Sequence, residues 1–405
     1  MIKKRFCLFI SLFLFSCGQT ETSTIKENVW YNQYSKEEIQ SFYEYPLKVG
    51  YTENFTFTNT SFEVGYGNNK TTIYPFEELI RSQFPNTTFH KIINESDTIS
   101  IINDNYDVLY GLNTYSLEKL KAEFYLEAFS PQWANQVQNE LNDPQNTYFA
   151  IGKEAIVTLY DYSYYTQDVN FDNILTLYQN ENYQNHYALN YIKSDWTHVV
   201  NKTILASILY PYRSNDETAI DGISLEGWNH LEKLLTYMKK DNINSSTVLN
   251  DSSFKNTENE IKIVLDNATD AMDKLTYYRN NPKKIKARLE KVPQKEIPYF
   301  IYGAAITRSS KCLESSKLFI EYVGSKEVEE EMSRNKRSFF PANDEVLTQE
   351  KAYRLDIDQA GLDFKSGYET RQLLYRLKKT KIMAIDYEFV TKHIDEWITK
   401  AKKIG

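Results

Sequence analysis

The chain has 405 residues, 41% of them hydrophobic and 25% charged, the ordinary composition of a globular protein long enough for two or three packed lobes. Its 55 acidic residues outnumber 47 basic ones for a net charge of −8, which argues against a nucleic-acid or anionic-membrane surface. Five histidines (His90, His186, His198, His230 and His393), none at metal spacing, and the lack of GxSxG, GxGxxG and P-loop patterns argue against catalysis and against any cofactor.

Residues 1–18 do not read as fold. Lys3-Lys4-Arg5 is a basic start, and residues 6–15 form an apolar run too short to span a membrane. Leu14-Phe15-Ser16-Cys17 resembles a bacterial lipoprotein box. The resemblance implies a signal peptide over 1–16, a diacylated Cys17 and an anchor outside the cytoplasmic membrane. Cys7 then leaves with the signal and Cys312 alone remains, so no internal disulfide forms. Residues 17–60 are polar without a sustained period and read as a tether and lead-in.

Alternation begins at Phe62. Residues 62–66 predict a strand, Gly67-Asn68-Asn69 a turn, and Ile73, Phe76, Leu79, Ile80 and Phe84 the stripe of a helix. Residues 88–93 predict a second strand, parallel to the first. Ligands of such sheets sit at the carboxyl ends of the strands, so Asn68 and Asn69 are binding candidates. Residues 106–114 repeat the pattern, ahead of a helix striped by Leu117, Leu120 and Phe124. Residues 155–161 form another apolar run.

Residues 189–197 end a strand and open a helix running through Val200, Ile204 and Leu209. Its start is a natural seat for a carboxylate or phosphate, with the Thr197 hydroxyl and the Trp196 face beside it. The competing reading makes Asp195 a cap and Trp196 core. Gly227-Trp228 heads a helix with Leu231, Leu234 and Leu235 on one face. Residues 260–268 form a further strand, and Ile385, Phe389, Ile394 and Trp397 recur at helical spacing near the end. Glu329-Glu330-Glu331 reads as a solvated helix face.

Residues 296–341 have the clearest grammar. An apolar run containing Gly303, a polar break at Arg308-Ser309-Ser310-Lys311, a helix closed by Gly324, a helix capped by Ser325 and a Phe339-Phe340-Pro341 stop follow in order. Pro298, Gly303-Ala304-Ala305-Ile306, Phe319-Ile320-Glu321-Tyr322, Ser325-Lys326-Glu327 and Arg337 through Pro341 resemble the carboxy-terminal signature of the extracellular solute-binding proteins of ABC importers. The branch is the one holding ferric-ion and sugar-phosphate binders.

The resemblance implies an α/β, two-lobe periplasmic-binding-protein fold of type II with two crossing strands, residues 155–161 and 260–268, at the hinge. Lobe 1 would combine residues 61–160 with about 270–340, and lobe 2 residues 161–269 with about 341–405. It implies a monomer that binds a small molecule and meets an ABC permease. The implied ligand residues are Asn113, Thr114, Asp161, Asp266 and Asn267. Ferric binders place a Tyr-Tyr pair directly after the second crossing, where this chain has Asp266-Asn267-Ala268. Tyr164-Tyr165 and Tyr277-Tyr278 are the remaining pairs for a ferric ion. A sugar phosphate or other small organic anion is the first expectation. A ferric ion, a free sugar, a polyamine or a surface lipoprotein without transport are the alternatives. Arg308 is the one arginine in a candidate loop.

Overall fold

The computed structural model describes residues 47–52, 62–64, 71–73, 83–84, 86–161, 174–189, 196–238, 263–268, 287–288, 296–326, 328–329, 341–348 and 380–404. The chain partitions into Met1–Gln40 and Ser41–Gly405, and all described residues lie in the second. Cys17, Asn68, Asn69, Tyr164, Tyr165, Tyr277 and Tyr278 lie outside the described residues.

Strands β1 (Lys48–Thr52), β4 (Thr88–Ile92) and β5 (Val108–Asn113) run parallel, with β1 in the middle. β1 corrects the expected lead-in, because residues 48–52 are a strand of the main sheet. The strand at Phe62 does not fill that role. β2 (Phe62–Val64) pairs antiparallel with β3 (Thr71–Ile73) as a separate two-stranded sheet, so Ile73 ends a strand and does not open a helix stripe.

Helix α1 (Thr98–Asn103) is capped by the Asp97 side chain on Ser100 N, and α2 (Thr114–Ala122) follows β5 directly. Leu117 and Leu120 of α2 are buried as expected. Phe124 is 75% exposed and in the left-handed region, because the chain turns at the helix end and carries the ring outward. The short β6 (Leu126–Glu127) joins the sheet edge at β12.

β7 (Phe149–Asp161) is 13 residues long, about 40 Å of extended chain, and belongs to both lobes. Residues 149–155 pair antiparallel with β12, and residues 156–160 pair antiparallel with β9 (Ile263–Asn267). β8 (Tyr187–Leu189) lies parallel to β9 at the far edge, and β10 (Ala287–Arg288) pairs with the end of β7. Lobe 2 is completed by α3 (Val199–Leu209) and α4 (Leu225–Thr236), the latter capped by Ser224 on Gly227 N. Their apolar faces meet an aromatic-rich cluster including Tyr187, Trp228 and, from the chain end, Trp397.

The return to lobe 1 is made by β11 (Glu296–Ile297) and β12 (Tyr299–Thr307), followed by α5 (Leu313–Val323). Gly303 is approached closely, as the sequence predicts. A Cβ there would meet Phe149 O at 2.8 Å and Leu117 Cδ1 at 2.7 Å. Gly324 ends α5, but its φ of −96° lies outside the left-handed region. Glycine is required instead by the Trp133 ring, 2.0 Å from where a Cβ would stand.

Glu329 is fully buried, which corrects its reading as part of a solvated face. Its Oε2 accepts from Asn343 N at 3.0 Å. That bond, the Gly152–Pro341 bridge and the Lys153–Asp344 pair keep α6 (Asp344–Thr348) on lobe 1. The tail therefore crosses later than residue 341. It passes the hinge where β13 (Lys381–Ile382) lies parallel to β11, and enters lobe 2 as α7 (Tyr387–Ile404).

Candidate functional site at the interlobe crossing

Three strand ends meet at the middle of β7. Asn267, closing β9, stands opposite Ile156, while Tyr299, opening β12, stands opposite Ala155. Ile156 N donates to Pro298 O at 2.9 Å. β5 ends beside them, since Asn113 is opposite Tyr302. The carboxyl ends of β5 and β9 thus reach the crossing from the two lobes, the place where ligands of open α/β sheets sit.

On the lobe 1 side, Asn113 is the N-cap of α2. Its Oδ1 accepts from Tyr115 N (2.9 Å) and Ser116 N (3.2 Å), and its own N–H donates to Glu95 Oε2 at 3.0 Å. The Thr114 hydroxyl ties α2 to β12, accepting from Ile301 N at 3.0 Å. Both expected residues are at the crossing, and both carry structural bonds there.

On the lobe 2 side, Asp266 is fully buried, and its Oδ1 accepts from Asn267 N at 2.8 Å. Asn267 Nδ2 donates to Glu154 Oε2 at 3.3 Å, while Asn267 Oδ1 is buried without a hydrogen-bond partner among the described residues. An unmatched buried acceptor costs about 1–3 kcal/mol, so a donor arriving there would be rewarded. Asp161 is the last residue of β7, five positions beyond Ile156, and its backbone pairs with Ala287.

At the start of α3 the cap is His198, whose Nδ1 accepts from Val200 N at 3.4 Å. Trp196 belongs to the buried core and Thr197 is exposed, so of the two readings of Trp196 the packing one describes this structure. Lys202, on α3, is buried with Nζ 5.5 Å from the ring centroid of Tyr115. The Tyr115 hydroxyl lies 3.3 Å from Thr203 Oγ1, a contact between α2 and α3. Burial holds Tyr115 and Tyr299 well above the usual phenol range, so both are neutral hydrogen-bonding groups at ordinary pH.

Glu95, Glu154, Tyr115 and Lys202 escape a reading by motif, because each is a polar residue inside a regular element or a short connection. The adjacent charges Lys153 and Glu154 in a largely apolar strand were the one visible signal. Arg308 leaves the site altogether. β12 runs antiparallel to β5, so its far end carries Arg308 away from Asn113, and Arg308 Nε donates to Leu126 O at 3.1 Å. Among the described residues no group of three or more His, Cys, Asp or Glu could hold a metal ion. The crossing instead combines carboxylates, an amide with a spare acceptor and one lysine. That set suits binding of a polar solute.

Comparison with solved structures agrees with this topology. A ferric-binding protein from Campylobacter jejuni superposes with a TM-score of 0.56 at 16% identity, covering 89% of this chain and 99% of that one. Ferric ion-binding protein A of Pasteurella haemolytica gives 0.61 at 11% identity, over 89% and 98%. An ABC transporter protein from Clostridium perfringens gives 0.59 at 18%, over 88% and 99%. This chain has the two-lobe periplasmic-binding-protein fold of type II. No family model and no curated sequence matches the chain. β7 is shared by the two lobes, as expected of the first crossing, whereas β9, expected as the second crossing strand, pairs only with residues 156–160 of β7 and with β8. Among the described residues no helix is long and apolar enough to cross a membrane.

Proposed function

We propose that this protein is the substrate-binding component of an ABC importer, capturing a small solute between its lobes and handing it to a permease. It acts as a monomer held outside the cytoplasmic membrane by lipid on Cys17. The observation that carries the reading is Asn267 Oδ1, a buried acceptor with no hydrogen-bond partner among the described residues, at the point where both lobes meet β7. With Asp266 and Glu154 beside it, this corner takes hydroxyl donors, while Lys202 and the start of α3 supply positive charge for an anionic group. A sugar phosphate offers both. Asn68, Asn69, Asp161 and Thr197 remain candidates around the same ligand.

The second reading is a ferric ion, favoured by the names of two of the neighbours above. It would draw on the carboxylates at the crossing and on Tyr164, Tyr165, Tyr277 or Tyr278. A surface lipoprotein with this fold and no transport role is the third.

The test is a thermal-shift screen of protein purified under denaturing conditions and refolded, against sugar phosphates, free sugars, polyamines, organic acids and ferric citrate. Ligand at about a thousandfold over Kd stabilises by about 4 kcal/mol. A shift with sugar phosphates that Asp266→Ala and Asn267→Ala both abolish is the expected result. A shift with ferric citrate alone, with tyrosinate colour, replaces the ligand and keeps the transport role. No shift with any compound removes the transport reading.

A further inference from the structure

Helix α7 is divided between two kinds of contact. Val390, Ile394, Trp397 and Ala401 are fully buried in a cluster made mostly of lobe 2 residues, which also takes in Tyr115 of α2 and Phe300 of β12, and Trp397 Nε1 donates to Asp221 O at 2.9 Å. Another part of the helix reaches lobe 1, through Lys119–Asp395 at 3.1 Å and Lys121–Glu388 at 3.6 Å, and through Tyr387, whose ring meets that of Tyr115 at 5.5 Å and whose hydroxyl donates to Tyr299 O. The first pair is exposed, with side-chain accessibilities of 30% and 65%. Lys121 is also held by Glu118 and Asp143 of its own lobe, so of the two ion pairs Lys119–Asp395 is the one committed to α7.

These contacts differ greatly in strength. A stripe of buried apolar side chains far outweighs exposed ion pairs, which solvent and salt screen. Any change in lobe arrangement about β7 therefore keeps α7 on lobe 2 and strains its contacts with lobe 1, the Tyr387 contacts and the ion pairs alike.

We propose that the α2–α7 ion pairs, Lys119–Asp395 foremost, are an electrostatic latch that weights the equilibrium between the lobe arrangement seen here and others. Through that weighting, residues that need not touch the ligand set its apparent affinity. The inference deepens the solute-binding reading, in which lobe movement accompanies capture, but its own premise is only that the lobes move. A ligand can shift such an equilibrium only by its differential affinity for the two states, and a built-in bias changes the affinity observed.

The experiment compares the ligand-free full chain with Lys119→Glu, Asp395→Lys and the charge-swapped double variant by small-angle X-ray scattering. Circular dichroism checks that each is folded. Each single variant is expected to deplete the arrangement seen here by about twofold to about fivefold, read as a changed radius of gyration, and the swap to restore it. Raising salt from about 0.01 M to about 1 M, which shortens the Debye length from about 30 Å to about 3 Å, moves the wild type in the same direction as the single variants. Scattering that is identical for folded wild type and single variants at low salt overturns the latch. Because no ligand is present, that outcome is separate from a failed binding screen.

Discussion

Lobe 2 has a cluster of aromatic rings that includes Tyr187, Trp228 and Trp397, whereas lobe 1 pairs buried charges with one another. There Lys121 sits 2.8 Å from Glu118 and 3.1 Å from Asp143, and Glu329 is sealed behind Asn343. Burial pushes Glu118 up, although Lys121 and Tyr148 pull it back in part. Burial also works against the charge of Asp143, yet the bonds from Thr147 and the charge of Lys121 outweigh it and leave Asp143 below its usual range. Shape holds one lobe together, and matched charge contributes to the other. Their responses to pH and to truncation should therefore differ.

The strongest way to break this comparison is to remove one member of each core. Lys121→Met strands two buried carboxylates and should cost about 3–5 kcal/mol in denaturant melts at neutral pH. The loss should shrink towards acid pH as those carboxylates take up protons. Trp397→Ala should cost a similar amount, about 3–5 kcal/mol, through the cavity it leaves, with no such recovery in acid. A pH-independent loss in Lys121→Met would remove the distinction.

The smallest effect comes from Glu329→Gln. Burial holds the Glu329 carboxyl well above the ordinary range, with the Asn343 N–H and Lys153 offsetting only part. A raised folded-state value means the folded protein binds the proton more tightly. The contribution is complete below the ordinary glutamate pKa and is lost as pH rises through the folded-state value. Wild type should lose stability across that rise, and Glu329→Gln, nearly neutral in acid, should flatten the slope. An unchanged slope in urea midpoints measured across pH would place the charge burden elsewhere.

The sequence made the skeleton of the fold readable where period and punctuation coincide. Residues 296–324 show this, with β12 and α5 falling close to their predicted bounds and Gly303 packed against Phe149 as a close approach requires. β1 was hidden because Gly50 interrupts its five residues, and that glycine is there to admit the Tyr106 ring, 2.9 Å from a would-be Cβ. Glu329 was hidden because three consecutive glutamates look solvated, and its buried partner Asn343 comes from another part of the chain. At the site, Asn113 and Asn267 were expected from the family resemblance, and they stand at the ends of β5 and β9. Lys202 and Glu154 were not, because their meaning comes from elements distant in sequence, and no local period encodes a contact such as Lys202 over Tyr115.

Strand β7 carries a consequence for how this molecule can be taken apart. One half of the strand borders β12 and the other borders β9, with no loop between them. Neither lobe is a removable module, since lobe 2 excised without residues 156–161 strips β9 of its neighbour and leaves a bare row of backbone donors and acceptors. Such an edge recruits other chains. A single shared strand thus ties β12 and β9 to one neighbour, and it obliges nicking or circular permutation to fall outside residues 149–161.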